Sequence, residues 1–280
     1  MTFSIVACDL KEKTWGVAVA SKFPAVGAVV PWAQAGVGAV ATQSFANIAF
    51  GPAGLEMMTN GMSAKDTLAA LLRNDRDREL RQVGLVDFKG RAVTFTGEGC
   101  FPWAGGVAGK GYAIQGNILA GAKVTKAMEK AFLKTAGDLP TRLYAALLAG
   151  DRAGGDRRGR QSAAIYVAKP HGGYGGYTDR WVDYRVDDHA DPVLRLGDLL
   201  ELHRLYFGKS AEGERAALKG KTLEQMTAIL KRQGYFKKYR TFAGAFNAFI
   251  GNENFEERAD PNGQWVDKPV LKYLKKKFLP

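Results

Sequence analysis

The spacing of apolar and polar positions changes several times along the chain, and each change marks an element. Phe3–Cys8 and Trp15–Ala20 are short runs rich in Val, Ile and Ala, separated by the charged segment Asp9–Thr14. Such a pair predicts a β-hairpin. Val26–Trp32 and Val37–Thr42, joined through Gly36, are almost continuously apolar. They predict strands covered on both faces or packed beneath helices. Helical spacing follows over Pro52–Asn60 and Ala64–Arg73, where Leu68, Leu71 and Leu72 share a face and Ser63 can cap the N-terminus. Strands return at Gln82–Asp87 and Arg91–Thr96 about a Lys89-Gly90 turn, and again at Gly111–Gln115. Helices over Ala122–Lys134 and Pro140–Ala149 precede strands at Gln161–Ala168 and Trp181–Val186, with the glycine-rich turn His171–Tyr177 between them.

Strands and helices therefore come in groups rather than in βαβ alternation. Grouping of this kind predicts an α+β fold with segregated layers, helices sandwiching two stacked antiparallel sheets. Asp191-Pro192 opens one more helix, with aspartate at the cap and proline at the first position, running to about Phe207. Gly208–Glu214 has the composition of a linker. Beyond it, Leu223–Gln233, Phe242–Ile250 and Pro269–Phe278 predict a small all-α domain with a thin core. The expected division is residues 1–207 and 208–280.

Composition narrows the function classes. Two cysteines, Cys8 and Cys100, are too few for a disulfide framework and lack metal-ligand spacing. With no secretory leader pattern and no membrane-length apolar run, the expectation is a soluble cytoplasmic protein. The net charge of +12 gathers partly in Lys231-Arg232, Lys237-Lys238 and Lys275-Lys276-Lys277. It favours an anionic partner or simply solubility. No zinc-finger spacing, basic heptad array or aromatic RNA-binding signature accompanies it, so nucleic acid is not expected as a partner. Gly106–Gly111 lacks the first glycine and the Ser/Thr of a phosphate loop. No Gly-x-Ser-x-Gly elbow is present. His171, His189 and His203 lack zinc-ligand spacing, and neither a metal nor a cofactor is expected.

Thr2 stands at the head of the first strand. Met1 before a small residue is the arrangement from which the initiator is usually trimmed. A free Thr2 amine, with a pKa of about 8, would then lie beside its own hydroxyl and unite nucleophile and base in one residue. The plainer alternative is that Thr2 begins an ordinary strand.

Six blocks resemble the DUF1028 family, a group placed among the N-terminal-nucleophile hydrolases with an αββα sandwich. They are Thr2–Ala7, Ser21–Gly27, Ala41–Asn47, Gln115–Asn117, Gly154–Gly159 with Gln161–Ala164, and Gly175–Arg180 through Val186–His189. The C-terminal segment is similar to a peptidoglycan-binding-like helical module through Leu230–Phe236, the Phe242, Phe246, Phe249 spacing, Asn254–Arg258, Trp265–Asp267 and Val270–Leu274. The three phenylalanines fit a core better than a ligand site.

The resemblance implies roles at matching positions. Thr2 becomes the nucleophile, with its own amine as base. Lys22 falls beside it, where an ammonium would lower the pKa of the threonine amine and hydroxyl, although Ala20 replaces the aspartate that proteasome-like chains carry in this run. Asp156 is placed to bond the threonine amine, with Ser162 assisting; a tight Asp-containing loop is the alternative. Arg157 and Arg158 suit a substrate carboxylate. Gln43, Asn47 and Asn117 are candidate oxyanion donors, Asn117 foremost because Gly116 permits close approach, or else loop-stabilising amides. Asp179 and Arg180 are expected to order the glycine-rich loop over the cleft. Asp187, Asp188 and His189 cannot converge on a metal, since neighbouring strand positions face opposite ways.

The expected function is hydrolysis of a small amide or peptide-like substrate through Thr2. The alternative is a non-catalytic binding protein docking to peptidoglycan fragments or another anionic partner through its basic C-terminal module. A homodimer is compatible with a compact sandwich with apolar edges, and no membrane partner is expected.

Overall fold

The computed structural model describes residues 2–208 and 210–279. Two compact units divide at Leu199/Leu200. The first begins with the expected hairpin, β1 (Thr2–Asp9) and β2 (Thr14–Ser21), followed by β3 (Pro31–Gln34) and β4 (Gly38–Ser44). Helices α1 (Phe50–Thr59) and α2 (Ala64–Arg73) lead to β5 (Arg81–Asp87), β6 (Ala92–Thr96), β7 (Gly105–Gly109) and β8 (Tyr112–Asn117). The Ser63 hydroxyl caps α2 by accepting from Asp66 N–H. Then come α3 (Lys123–Lys134), α4 (Leu139–Arg152), β9 (Ser162–Ala168) and β10 (Arg180–Val186). Helix α5 (Pro192–Phe207) runs through the division between the units.

All strand pairs are antiparallel, in a six-stranded sheet of order β10-β9-β2-β1-β8-β7 and a four-stranded sheet of order β3-β4-β5-β6. Alternation along β1 explains the stacking. Val6 and Cys8 face the other sheet, joining Val17, Val19, Ala39, Ala41, Val86 and Ala113 in the central core. Phe3 and Ile5, of opposite parity, face α3 and α4. On the far side, Val40, Val83 and Leu85 pack against Phe50, Leu55, Met58, Leu68 and Leu71 of α1 and α2. The result is a four-layer αββα sandwich.

One expected strand is corrected. Val26–Ala28 forms a single 3-10 turn entered through Ala25 at a positive φ, and the strand begins only at Pro31. Val26 and Val30 are nonetheless buried in the central core, so the apolar run records a loop that plugs the sandwich. Within that core lies Cys8. Burial, reinforced by the Asp87 and Asp9 carboxylates, pushes its thiol up to about 12. Peptide mapping after iodoacetamide treatment at pH 8 should find Cys8 unmodified in the native protein and modified after denaturation; native labelling would contradict this placement.

The second unit holds α6 (Gly220–Arg232), α7 (Phe242–Asn252) and α8 (Lys268–Phe278), and adds a short ladder of β11 (Arg215–Ala217) with β12 (Trp265–Asp267). Its core gathers Met226, Ile229, Phe246, Phe249, Phe255, Val266 and Leu274. Phe242 stacks on Phe246 at 5.7 Å between centroids. These phenylalanines are core. Among the described residues no helix is long and apolar enough to cross a membrane.

Candidate active site

Strand register assembles a row of polar side chains at one end of the six-stranded sheet. Asn117 on β8 pairs with Thr2 on β1, and Ser162 on β9 pairs with Ser21 on β2. Since Phe3 pairs with Ala20, Thr2 and Ser21 are neighbours as well, and their hydroxyl oxygens lie 3.1 Å apart. Parity turns all four toward the space between the sheets. Thr2 is only 6% exposed. The removal of Met1 concerns a residue outside those described.

Beneath this row runs a buried amide network that sequence reasoning largely missed. The Gln43 carboxamide donates to the Thr2 carbonyl at 3.2 Å and to Gln82 Oε1 at 2.8 Å, while its own oxygen accepts from Ser4 Oγ at 2.6 Å. Gln115 Nε2 donates to Ser4 Oγ at 2.7 Å. Gln82 Nε2 donates to the Gly116 carbonyl at 2.8 Å. Because a carbonyl only accepts, that bond fixes which way the Gln82 amide faces. Its Oε1 must then accept, and Asn117 meets it with Nδ2 at 2.9 Å. Gly84 leaves room for this layer, since a Cβ there would fall on the Gln115 carboxamide. Ser4, Gln82 and Gln115 are fully buried. Gln115 Oε1 has no hydrogen-bond partner among the described residues, and the remaining bonds fix the geometry of this layer.

On the other flank, Asp156 is 7% exposed and bridged to Leu119. Its Oδ2 accepts from the Lys22 backbone N–H at 2.8 Å, and its Oδ1 from the Arg158 backbone N–H at 2.8 Å. The Arg158 guanidinium adds an ion pair at 3.4 Å. Asp156 thereby ties the end of β2 to the loop after α4. Lys22 meets it through its backbone, with an exposed side chain. Ser162 Oγ donates to the Phe23 carbonyl and accepts from Val26 N–H at 3.1 Å, holding the segment after β2. A cleft of about 270 Å³ opens here, lined by Phe3, Ser21, Asp151, Asp156, Arg160 and Ser162. Arg160 is pinned in its wall by Asp151 at 2.8 Å and Asp191 at 3.1 Å.

The other expected residues divide. Arg157 donates its backbone N–H to the Ile118 carbonyl at 3.2 Å, beside Asn117, with its side chain exposed. Gln43 lies under Thr2 with its amide hydrogens spent on the Thr2 carbonyl and Gln82 Oε1, and so fixes the strand end. Asn47 fastens a loop: its Nδ2 donates to Asp75 at 3.2 Å and its Oδ1 accepts from Ala49 N–H at 3.2 Å. Asp179 and Arg180 are not brought to this end at all. Arg180 pairs with Ala168, Ala168 with Trp15, and Trp15 with Cys8. Six strand steps lead from Thr2 to Cys8, roughly 20 Å at strand rise. Asp179 accepts from His171 N–H at 2.9 Å, and Arg180 pairs with Asp183 at 3.2 Å; both line a separate cavity of about 430 Å³. Among the described residues no group of three His, Cys, Asp or Glu side chains is set to hold a metal ion.

Asp75 is the charged anchor of the Asn47 loop. Its bonds to Arg81, at 2.8 Å and 3.1 Å, with help from Asn47, hold its carboxyl down at about 2. A folded-state pKa below the ordinary value of about 4 stabilises above that value and is lost as pH falls through 2. In acid unfolding, wild type should therefore exceed Asp75→Asn in stability above pH ~4 and converge on it toward pH 2. A constant gap across that range would contradict the pairing.

The family model described as "Family of unknown function (DUF1028)" matches residues 2–196. The chain belongs to the DUF1028 family. A solved DUF1028 protein from Silicibacter pomeroyi is 27% identical and superposes with a TM-score of 0.66, over 80% of this chain and 92% of that one. Two Anbu (ancestral beta-subunit) structures also match. The one from Yersinia bercovieri is 12% identical with a TM-score of 0.31, over 75% of this chain and 99% of its own. A Gly-1 mutant from Hyphomicrobium sp. strain MC1 is 11% identical with a TM-score of 0.33, over 76% and 99%. Likeness that loose transfers nothing to this site. The "Putative peptidoglycan binding domain" model matches residues 206–274. No curated protein matches the chain.

Proposed function

We propose that this DUF1028 protein is an amidohydrolase of the N-terminal-nucleophile type, in which processing makes Thr2 the first residue of the mature chain. The observation that carries the reading is Thr2 heading the central strand β1 at the rim of the sandwich, its hydroxyl 3.1 Å from Ser21 and its carbonyl held by Gln43. The freed amine takes the hydroxyl proton as Oγ1 bonds to the amide carbon. The tetrahedral intermediate collapses with cleavage of the C–N bond, and the proton passes to the leaving amine. Water then attacks the acyl ester as the amine takes its proton, the C–Oγ1 bond breaks, and that proton passes to Oγ1 as the acid is released. Asn117 is the side chain best placed across from Thr2 to donate to the oxyanion, through the amide hydrogen not used by Gln82. Ser21 orients the nucleophile, and Asp156 keeps the end of β2 in register.

The test is a screen of 4-nitroanilide amides against wild type and Thr2→Ala side by side. Release of 4-nitroaniline by wild type alone supports the reading; no turnover by either across acyl groups of different size counts against it. A second reading rests on the C-terminal match at residues 206–274 and the lysines of α8. In it, that unit docks to soluble peptidoglycan fragments. Titration with muropeptides, binding to wild type and Thr2→Ala alike, would favour it.

A further inference from the structure

Three large apolar side chains stand half exposed at the Thr2 end of the sandwich: Phe45 at 51%, Ile48 at 56% and Phe101 at 54%. Scattered exposed apolar residues need no explanation. Two of them are not scattered. The Phe45 and Phe101 rings pack on each other with centroids 5.9 Å apart, although they come from loops after different strands. Both adjoin the polar row or its support. Phe45 follows Gln43, which bonds the Thr2 carbonyl, and the Phe101 carbonyl accepts from the N–H of Ile118, next to Asn117.

The loops are also built rather than loose. Ser44 takes φ of 73°, a left-handed conformation that a non-glycine residue keeps only where its surroundings impose it. Phe45 is held at both ends of its peptide: its N–H donates to the Leu80 carbonyl at 3.3 Å, and its carbonyl accepts from Arg81 at 2.6 Å. Thr42 Oγ1 donates to the Asn47 carbonyl at 3.1 Å, and Asn47 reaches Asp75. Leu119 N–H on the Trp103 carbonyl secures the Phe101 side. Arg81, which holds the Phe45 carbonyl, is itself engaged by Asp75 and Asp77. Rigid presentation of uncharged apolar surface lowers the cost of binding an apolar group.

Building on the hydrolase reading, we infer that Phe45 and Phe101 form a substrate wall that selects amides carrying an aromatic group. The expected preference for an aryl over a short alkyl group is about tenfold, the low end of what one methylene is worth in an apolar pocket.

The test measures binding of 3-phenylpropanamide and propanamide to the full-length protein by ligand-observed NMR, in wild type, Phe45→Ala and Phe101→Ala. The aryl amide should bind about tenfold more tightly, and each alanine should remove most of that preference without moving the melting temperature. Equal binding of the two amides, or variants that bind like wild type, overturns the wall. A shift from dimer to monomer on sedimentation of the variants, with no change in amide preference, also overturns it and marks the patch as a contact between copies. A parallel reaction with 4-nitrophenyl 3-phenylpropanoate, followed by peptide mapping, separates the two claims. An adduct on Thr2 whose rate ignores Phe45 and Phe101 sinks the wall alone. Binding that depends on them with no adduct on Thr2 sinks the hydrolase reading and leaves the wall.

Discussion

Thr2→Ala should abolish amide hydrolysis, lowering turnover by at least ~10³-fold, while the protein stays folded. The asymmetry follows from where Thr2 sits. Its backbone remains paired to β8, and the alanine methyl fits the space vacated. What disappears is one buried hydroxyl contact with Ser21, worth about 1 kcal/mol of stability. Thr2→Ser should retain activity, because it keeps hydroxyl and amine together. Blocking the amine by retention of Met1 should be as damaging as losing the hydroxyl. Rate against pH should rise through a pKa below the ordinary α-amine value of about 8 if a nearby cation acts on it, and near that value if none does. Residual hydrolysis in Thr2→Ala above a tenth of wild type would place the nucleophile elsewhere.

The largest expected effect on stability lies in the other unit. Arg258 is 4% exposed, with its Nε 2.7 Å from Asp267 Oδ2. Its guanidinium also donates to the carbonyls of Arg204 and Gly208 and to Ser210 Oγ at 3.3 Å. One side chain thus joins the end of α5, the following segment and β12. Arg258→Met would strand the Asp267 carboxylate, 3% exposed, without a partner. Removing one member of a buried ion pair costs about 3–5 kcal/mol. A unit of this size has about that much stability to lose. Proteolysis within residues 200–280 should accelerate sharply while β1–β10 stay protected, and Asp267→Asn added to Arg258→Met should recover part of the loss. A melting temperature within two or so degrees of wild type would contradict a pair that matters.

Much of the layered architecture is legible because most period changes in the chain coincide with an element. Ser63 capping α2, the Thr2–Ser21 hairpin and the Lys89-Gly90 turn all follow from local chemistry. Strand β7 escapes because Gly105–Gly109 carries only Val107 as a β-branched signal and forms its ladder through backbone alone. Val26–Trp32 misleads because a buried loop and a buried strand have the same hydropathy. At the site, Thr2, Asn117 and Ser162 can be named from sequence, yet Ser21 is the hydroxyl beside Thr2. Its signal was available: Phe3 opposite Ala20 in the hairpin puts Ser21 next to Thr2. Ser4, Gln82 and Gln115 interrupt otherwise apolar strands, which marks buried polar groups needing partners. Asp179 and Arg180 mislead for a topological reason. They follow the end of β9 opposite Ser162, and no local pattern states which end of a sheet a loop occupies until strand directions are counted.

The central claim is that Thr2 carries the free amine of the mature protein, and intact-mass measurement with N-terminal peptide sequencing of protein from its native host tests it most directly. The account predicts a chain whose first residue is Thr2, unmodified at its amine. A chain that quantitatively retains Met1, or any blocked residue before Thr2, would contradict it.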